Sequence, residues 1–197
     1  MIITVILLSL SMCLDNLVIG IAYGIKKIKI NTIDNIIIAS ITTLGTLIVM
    51  ILGMYLKLIL PTLITKLLGT IIIIALGLIF IIQNIIEIIK NHNGNINKII
   101  DYAEKTDLNK SGDIDKKEAI LIALGLMINN LGIGVVASVA GISIYLTVVF
   151  TFIVSIITVK VGVLMGSYFF GNFFGKYATL IGGILLVILG LLNIIKI

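Results

Sequence analysis

Long apolar stretches, each broken by a short polar or glycine-containing group, make up most of this chain. Crossing the ~30 Å hydrocarbon core of a bilayer takes about 20 apolar residues in a helix. Six stretches reach that length: roughly 2–25, 33–56, 63–89, 118–139, 142–170 and 176–195. Lys26-Lys27-Ile28-Lys29 closes the first, and Pro61 separates the second from the third. Gly141 separates the fourth from the fifth, and Gly171-Asn172 the fifth from the sixth. Asn91 to Lys117 forms the one long polar connection. The pattern predicts an all-α integral membrane protein with six transmembrane helices. The first stretch has no basic n-region before it and no small-residue cleavage site, so it is read as a retained helix and not a signal peptide.

The halves of the chain echo each other. Leu14-Asp15-Asn16-Leu17-Val18-Ile19-Gly20 matches Ile128-Asn129-Asn130-Leu131-Gly132-Ile133-Gly134, a shift of 114 residues. Gly53-Met54-Tyr55 matches Gly166-Ser167-Tyr168, and Gly69 and Gly77 match Gly182 and Gly190, all shifted by 113. Three spans are an odd number, so the second copy must cross in the opposite sense. The expected organisation is two inverted three-helix repeats, 1–90 and 118–197, joined by a loop at 91–117. Inverted repeats are a transporter architecture with the site near the bilayer midplane. Ten lysines lie on the side holding the long loop, and Lys57, Lys66 and Lys196 on the other. The positive-inside rule then puts the loop in the cytoplasm and both termini on the extracytoplasmic side.

Composition agrees with a membrane class: 60% hydrophobic and only 12% charged residues, against about 25% charged in soluble domains. The net charge of +5 comes from lysines alone. Without arginine for bidentate base or phosphate contacts, nucleic acid is excluded as a partner. The expected partners are the lipid bilayer and a divalent metal ion, with self-association into a homo-oligomer left open. A single Cys13 forms no intrachain disulfide, and His92 has no second His or Cys for a zinc site. The absence of Trp and Arg argues against an organic solute, and no ATP-binding motif is present, so transport would draw on an ion gradient.

Polar residues deep in these spans are the candidate chemistry. Asp15 lies about 15 Å from the cytoplasmic end of its helix, and Asn129 and Lys160 reach roughly the same depth in the fourth and fifth. An ionised Asp at that depth costs several kcal/mol unless compensated. Asp15, Asn16, Asn129 and Asn130 form a hard oxygen-donor set suited to Mg²⁺, Ca²⁺ or Mn²⁺. Thr42, Thr43, Ser155 and Thr158 could add hydroxyls, although Gly20-x-x-x-Gly24 and Gly162-x-x-x-Gly166 also read as packing motifs. Lys160 is expected to pair with Asp15, either as a permanent lock or as a counter-cation displaced by metal or proton.

The long connection carries a second motif. Asp107-Leu108-Asn109-Lys110-Ser111-Gly112-Asp113-Ile114-Asp115-Lys116-Lys117-Glu118 fits a twelve-residue EF-hand loop. Asp107, Asn109, Ser111, the Asp113 carbonyl, Asp115 and a bidentate Glu118 would bind Ca²⁺, with Gly112 at the turn. Ile96, Ile99, Ile100 and Ala103 fall at helical spacing just upstream and predict a short entering helix.

The Asp15-Asn16 and Asn129-Asn130 motifs, the Gly20–Ile30 run and the 107–118 loop make the chain resemble the MntP/YtaF family. These are small six-helix bacterial membrane proteins comprising manganese efflux pumps and sporulation-associated relatives. The last two features are closer to the YtaF branch. The resemblance implies a bacterial plasma-membrane protein, not an enzyme, exporting Mn²⁺ or another divalent cation. In the manganese pumps both repeat motifs carry Asp and helix 2 carries a Glu, whereas here Asn129 and Thr42-Thr43-Leu44 stand at those places. The alternative it implies is a non-transporting sporulation-associated protein, with a structural Asp15–Lys160 pair and a Ca²⁺-binding regulatory loop.

Overall fold

The computed structural model describes residues 2–59, 62–90, 101, 103–167 and 171–195. The expectations attached to Pro61, His92, Ile96, Ile99, Ile100, Tyr168 and Ile197 lie outside the described residues. The described chain is helical: α1 (Ile2–Met12), α2 (Leu14–Lys26), α3 (Thr32–Ile59), α4 (Thr62–Lys90), α5 (Lys116–Val139), α6 (Ile144–Ser167) and α7 (Gly171–Ile194). Among the described residues four spans are long and apolar enough to cross a membrane: Ile2–Lys26, Thr32–Tyr55, Leu67–Ile86 and Ile144–Ser167. The two parts of α5, Lys116–Ile128 and Asn130–Val139, meet at 46° and together make a fifth. In α7 the apolar part is shorter, Leu180–Ile194. An all-helical, multi-pass membrane protein is therefore what the chain forms.

The distribution of side chains follows from lipid as the solvent. Ile48, Leu52, Ile71, Leu78, Ile153, Leu164 and Leu191 are exposed, while Thr42, Thr46, Thr70, Thr147, Thr151 and Ser155 are buried. Lipid tails are as apolar as leucine, so hydrophobicity does not draw the helices together, and small or hydroxyl residues gather where helices touch. Several hydroxyls satisfy themselves on their own helix. Thr42 Oγ1 donates to Ile38 O at 2.9 Å, Thr147 Oγ1 to Ser143 O at 2.8 Å, and Thr158 Oγ1 to Val154 O at 2.8 Å.

The principal pairings are α2 with α6, α3 with α5, and α4 with α7. Each is a close backbone approach at glycine. A Cβ on Gly20 would sit 2.6 Å from Val159 O and 3.1 Å from Gly162 Cα. On Gly53 it would sit 2.6 Å from Val135 O, and on Gly77 2.8 Å from Gly183 O. The Gly20-x-x-x-Gly24 and Gly162-x-x-x-Gly166 motifs thus pack on each other, as the packing reading expects. Two apolar clusters hold the bundle. One joins α1, α4, α5 and α7 through Leu8, Met12, Ile73, Ile133 and Leu186. The other joins the end of α2 to α3 and α5 through Tyr23, Ile38, Ile114, Ile122 and Leu126.

Candidate functional site

The first span is interrupted where its motif begins. Cys13 separates α1 from α2 with φ −102° and ψ 6°. The chain stays nearly continuous, because Cys13 N–H still reaches Ser9 O at 3.1 Å and Leu17 N–H reaches Cys13 O at 3.2 Å. Asp15 therefore stands in the first turn of a helix that starts inside the span, where the positive end of the helix dipole favours a carboxylate. Its Oδ1 accepts from Asn16 N–H at 2.8 Å. The second motif also marks a break, since the 46° bend of α5 falls at Asn129.

Between α1–α2, α4, α5 and α7 lies a cavity of about 240 Å³. Its polar lining is Ser11, Asp15, Gln83 and Asn130, and its apolar walls are Met12, Leu14, Val18, Phe80, Ile133 and the backbone of Gly182. Asp15 is half-buried. Asn130 is buried, and its Nδ2 has no hydrogen-bond partner. A carboxamide can turn either its oxygen or its NH₂ toward such a space. Ser11 Oγ donates to Gly182 O at 2.9 Å, which leaves its lone pairs for another partner. One carboxylate, two carboxamides and a hydroxyl make a set of hard donors that suits a cation preferring oxygen. Among the described residues no three His, Cys, Asp or Glu side chains converge as a metal group, so any cation held here relies on neutral oxygens.

Of the four residues expected in the membrane, the structure brings Asp15 and Asn130 to one cavity. Asn16 turns the other way, with Nδ2 donating to Ser155 Oγ at 2.8 Å and tying α2 to α6. Asn129 lies at the bend of α5, and its side chain is outside those described. Lys160 is exposed on α6 and absent from the cavity lining. Among the described residues Lys26 pairs with Glu104 at 2.8 Å and Lys105 with Asp101. Thr42 and Thr158 bond their own helices and do not line the cavity. Ser11 and Gln83 were missed. Gln83 is one of the few polar residues in the 63–89 stretch, and the argument that singles out Asp15 applies to it too.

The loop at 107–118 has a defined shape. Gly112 takes φ 79° at the turn. Asp107 accepts from the N–H groups of Ser111 and Gly112, each at 3.1 Å. Asp115 caps α5, with Oδ1 accepting from Lys117 N–H at 2.9 Å and Glu118 N–H at 3.0 Å. Glu118 is buried, and its two oxygens accept from Leu108 N–H at 2.8 Å and Asp115 N–H at 2.9 Å. Ser111 Oγ donates to Asp113 O at 2.7 Å. The carboxylates are thus held by backbone amides. Residues 28–30 lie alongside: Lys29 N–H donates to Gly112 O and Ile114 N–H to Lys29 O, both at 2.9 Å.

Comparison with known proteins gives a family. A family model described as "Putative manganese efflux pump" matches residues 95–195, just over half the chain. Proteins named "Putative manganese efflux pump MntP" from Clostridium perfringens strains SM101 and 13 are 27% identical over 88 residues, which is 45% of this chain. The match spans only 41% of the length of those relatives. No solved structure matches.

Proposed function

This chain belongs to the MntP family, and from that premise we propose that it is a secondary transporter exporting a divalent cation, Mn²⁺ or Ca²⁺, across a bacterial plasma membrane. The observation that carries the reading is the shared cavity of Asp15 and Asn130. These residues come from the two sequence-related motifs, and each motif breaks its helix. Asp15 is the principal ligand and Asn130 a supporting oxygen, with Asn129 at the adjoining bend. Asn16 holds the break against α6 through Ser155.

The helix contacts support an inverted repeat. Shifting positions by the repeat spacing of 113 or 114 carries Gly166 to Gly53 and Ile21 to Val135. Gly166 packs on the Ile21 carbonyl, and Gly53 packs on the Val135 carbonyl. The same shift carries Gly20 to Gly134 and Gly162 to Val49, and these too are paired contacts. It exchanges the α2–α6 pair with the α3–α5 pair and returns α4–α7 to itself. Two halves related in this way can rock about a fixed midplane site, which is how alternating access is built from such repeats.

In this reading the 107–118 loop is cytoplasmic and binds Ca²⁺, both termini are extracytoplasmic, and the cavity is reached from the cytoplasm. Ion entry to the loop would replace the amides that Asp107 and Glu118 now accept. The non-transporting alternative depends on a permanent Asp15–Lys160 lock, and Lys160 is exposed on α6 and does not line the cavity that holds Asp15. Intracellular manganese in cells challenged with Mn²⁺ tests the proposal. Expression of the parent should lower it, and Asp15→Asn should abolish the effect while the protein remains in the membrane. Equal export by parent and Asp15→Asn would overturn the mechanism.

A further inference from the structure

We infer that Gln83 is a cation ligand of the transport site, the oxygen donor met before Asp15, and that its neutrality sets the affinity of the site. The inference rests on the transport reading and deepens it. Gln83 comes from α4, which neither repeated motif includes, yet its side chain lines the same cavity as Asp15 and Asn130. Gln83 is exposed at the cavity's edge, and the residues around it on α4, Ile79, Ile82, Ile85 and Ile86, are exposed apolar side chains. A carboxamide left among them in hydrocarbon would cost several kcal/mol without a partner, whereas the cavity offers it a polar lining.

Its depth assigns the role. Gln83 is seven residues from Lys90, about 10 Å along α4, and Asp15 is eleven residues from Lys26, about 16 Å along α2. Both helix ends belong to the same, lysine-rich side of the protein. Gln83 is therefore the shallower polar group of the cavity, and Asp15 the deeper. A cation entering from that side would exchange its first water for the Gln83 oxygen and then reach the carboxylate. Charge on the ligands sets affinity at oxygen sites. With Asp15 as the one acid in the lining among the described residues, a neutral Gln83 keeps binding weak enough for release, as a transporter requires.

Mn²⁺ titration of the full-length, detergent-solubilised protein, followed by the electron paramagnetic resonance of free Mn²⁺, tests this. Gln83→Glu should tighten Mn²⁺ binding about ten-fold or more and slow release from proteoliposomes. Gln83→Leu should weaken it several-fold. A purely structural Gln83 would not give opposite effects for the two variants, and the gain in Gln83→Glu is still readable if Gln83→Leu fails to insert. Affinities within two-fold of the parent for Gln83→Glu, with binding lost in Asp15→Asn, would overturn the inference and leave the transport site standing. Undiminished binding in Asp15→Asn, or no binding by the parent, would overturn both.

Discussion

Ile114 and Lys29 are joined by their backbones: Ile114 N–H donates to Lys29 O at 2.9 Å, and Lys29 N–H returns a bond to Gly112 O at 2.9 Å. The segment that leaves α2 therefore bridges to the 107–118 loop through a single backbone pairing of Lys29 with Asp113. Its start is fixed by a left-handed residue, Lys27 at φ 58°, whose N–H closes on Gly24 O while Ile28 N–H closes on Tyr23 O. Ile28 and Ile114 then enter one apolar cluster with Tyr23 and Ile122. The loop leads directly into α5, so the ends of the two motif-bearing spans meet at this bridge.

Because the bridge is made by main chain, the side chain of Lys29 should matter little and its amide should matter a great deal. Lys29→Pro removes the N–H that reaches Gly112 O, and a typical backbone hydrogen bond contributes about 1 kcal/mol. Hydrogen exchange of the Ile114 amide should speed up by about five-fold in Lys29→Pro, and hardly at all in Lys29→Ala. Equal protection in the two variants would mean that the bridge does not hold the loop.

The glycines separate packing from mere helix softness. Gly20 faces backbone, with Val159 O 2.6 Å from the place of a Cβ, while a Cβ on Gly132 would meet nothing within 4 Å. Gly20→Leu must push α6 away from α2 and break the Asn16–Ser155 bond. It should destabilise the protein by roughly 1–3 kcal/mol or more, as overpacking does. Gly132→Ala should be neutral or stabilising by up to about 1 kcal/mol, since alanine is the better helix former. Thermal melting of both variants in one detergent checks the contrast.

Direction was not legible in the sequence. A rise of 1.5 Å per residue puts Asp15, Asn129 and Lys160 at one expected level, and the residues that line one cavity are Asp15 and Asn130. Which way a residue points depends on how each helix is turned against its neighbours. Lys160 shares a helix with Gly162 but not its face, so it is exposed while Gly162 is buried against Leu17 and Gly20. Asn16 and Asp15 are adjacent in sequence, yet one meets α6 and the other the cavity. Four of the six apolar stretches match described helices long enough to cross a bilayer and a fifth matches the bent α5, while the apolar part of α7 is shorter, because length is a bilayer constraint. The break at Cys13 leaves no Pro or Gly at its position to announce it.

Glu118 offers the sharpest test of the loop, because two roles converge on it. It is the third residue of α5 and closes a capping box with Asp115, and it stands at the position that supplies two oxygens in an EF-hand loop. Its burial means that the carboxylate is already desolvated and held by the N–H groups of Leu108 and Asp115. Glu118→Gln keeps an oxygen for one of those amides but removes the charge. The helix start should therefore cost no more than the typical ~1 kcal/mol of a weakened cap. If the loop binds Ca²⁺, the same change removes one charge and weakens bidentate ligation, so affinity should fall by more than about ten-fold. Lys117→Ala, which alters an exposed side chain on the same turn, should leave Ca²⁺ binding unchanged. Calorimetric titration of the detergent-solubilised protein distinguishes the roles: a melting temperature lowered slightly with Ca²⁺ heat lost identifies a ligand. The same small shift in melting without any Ca²⁺ heat in the parent identifies a helix cap and nothing more.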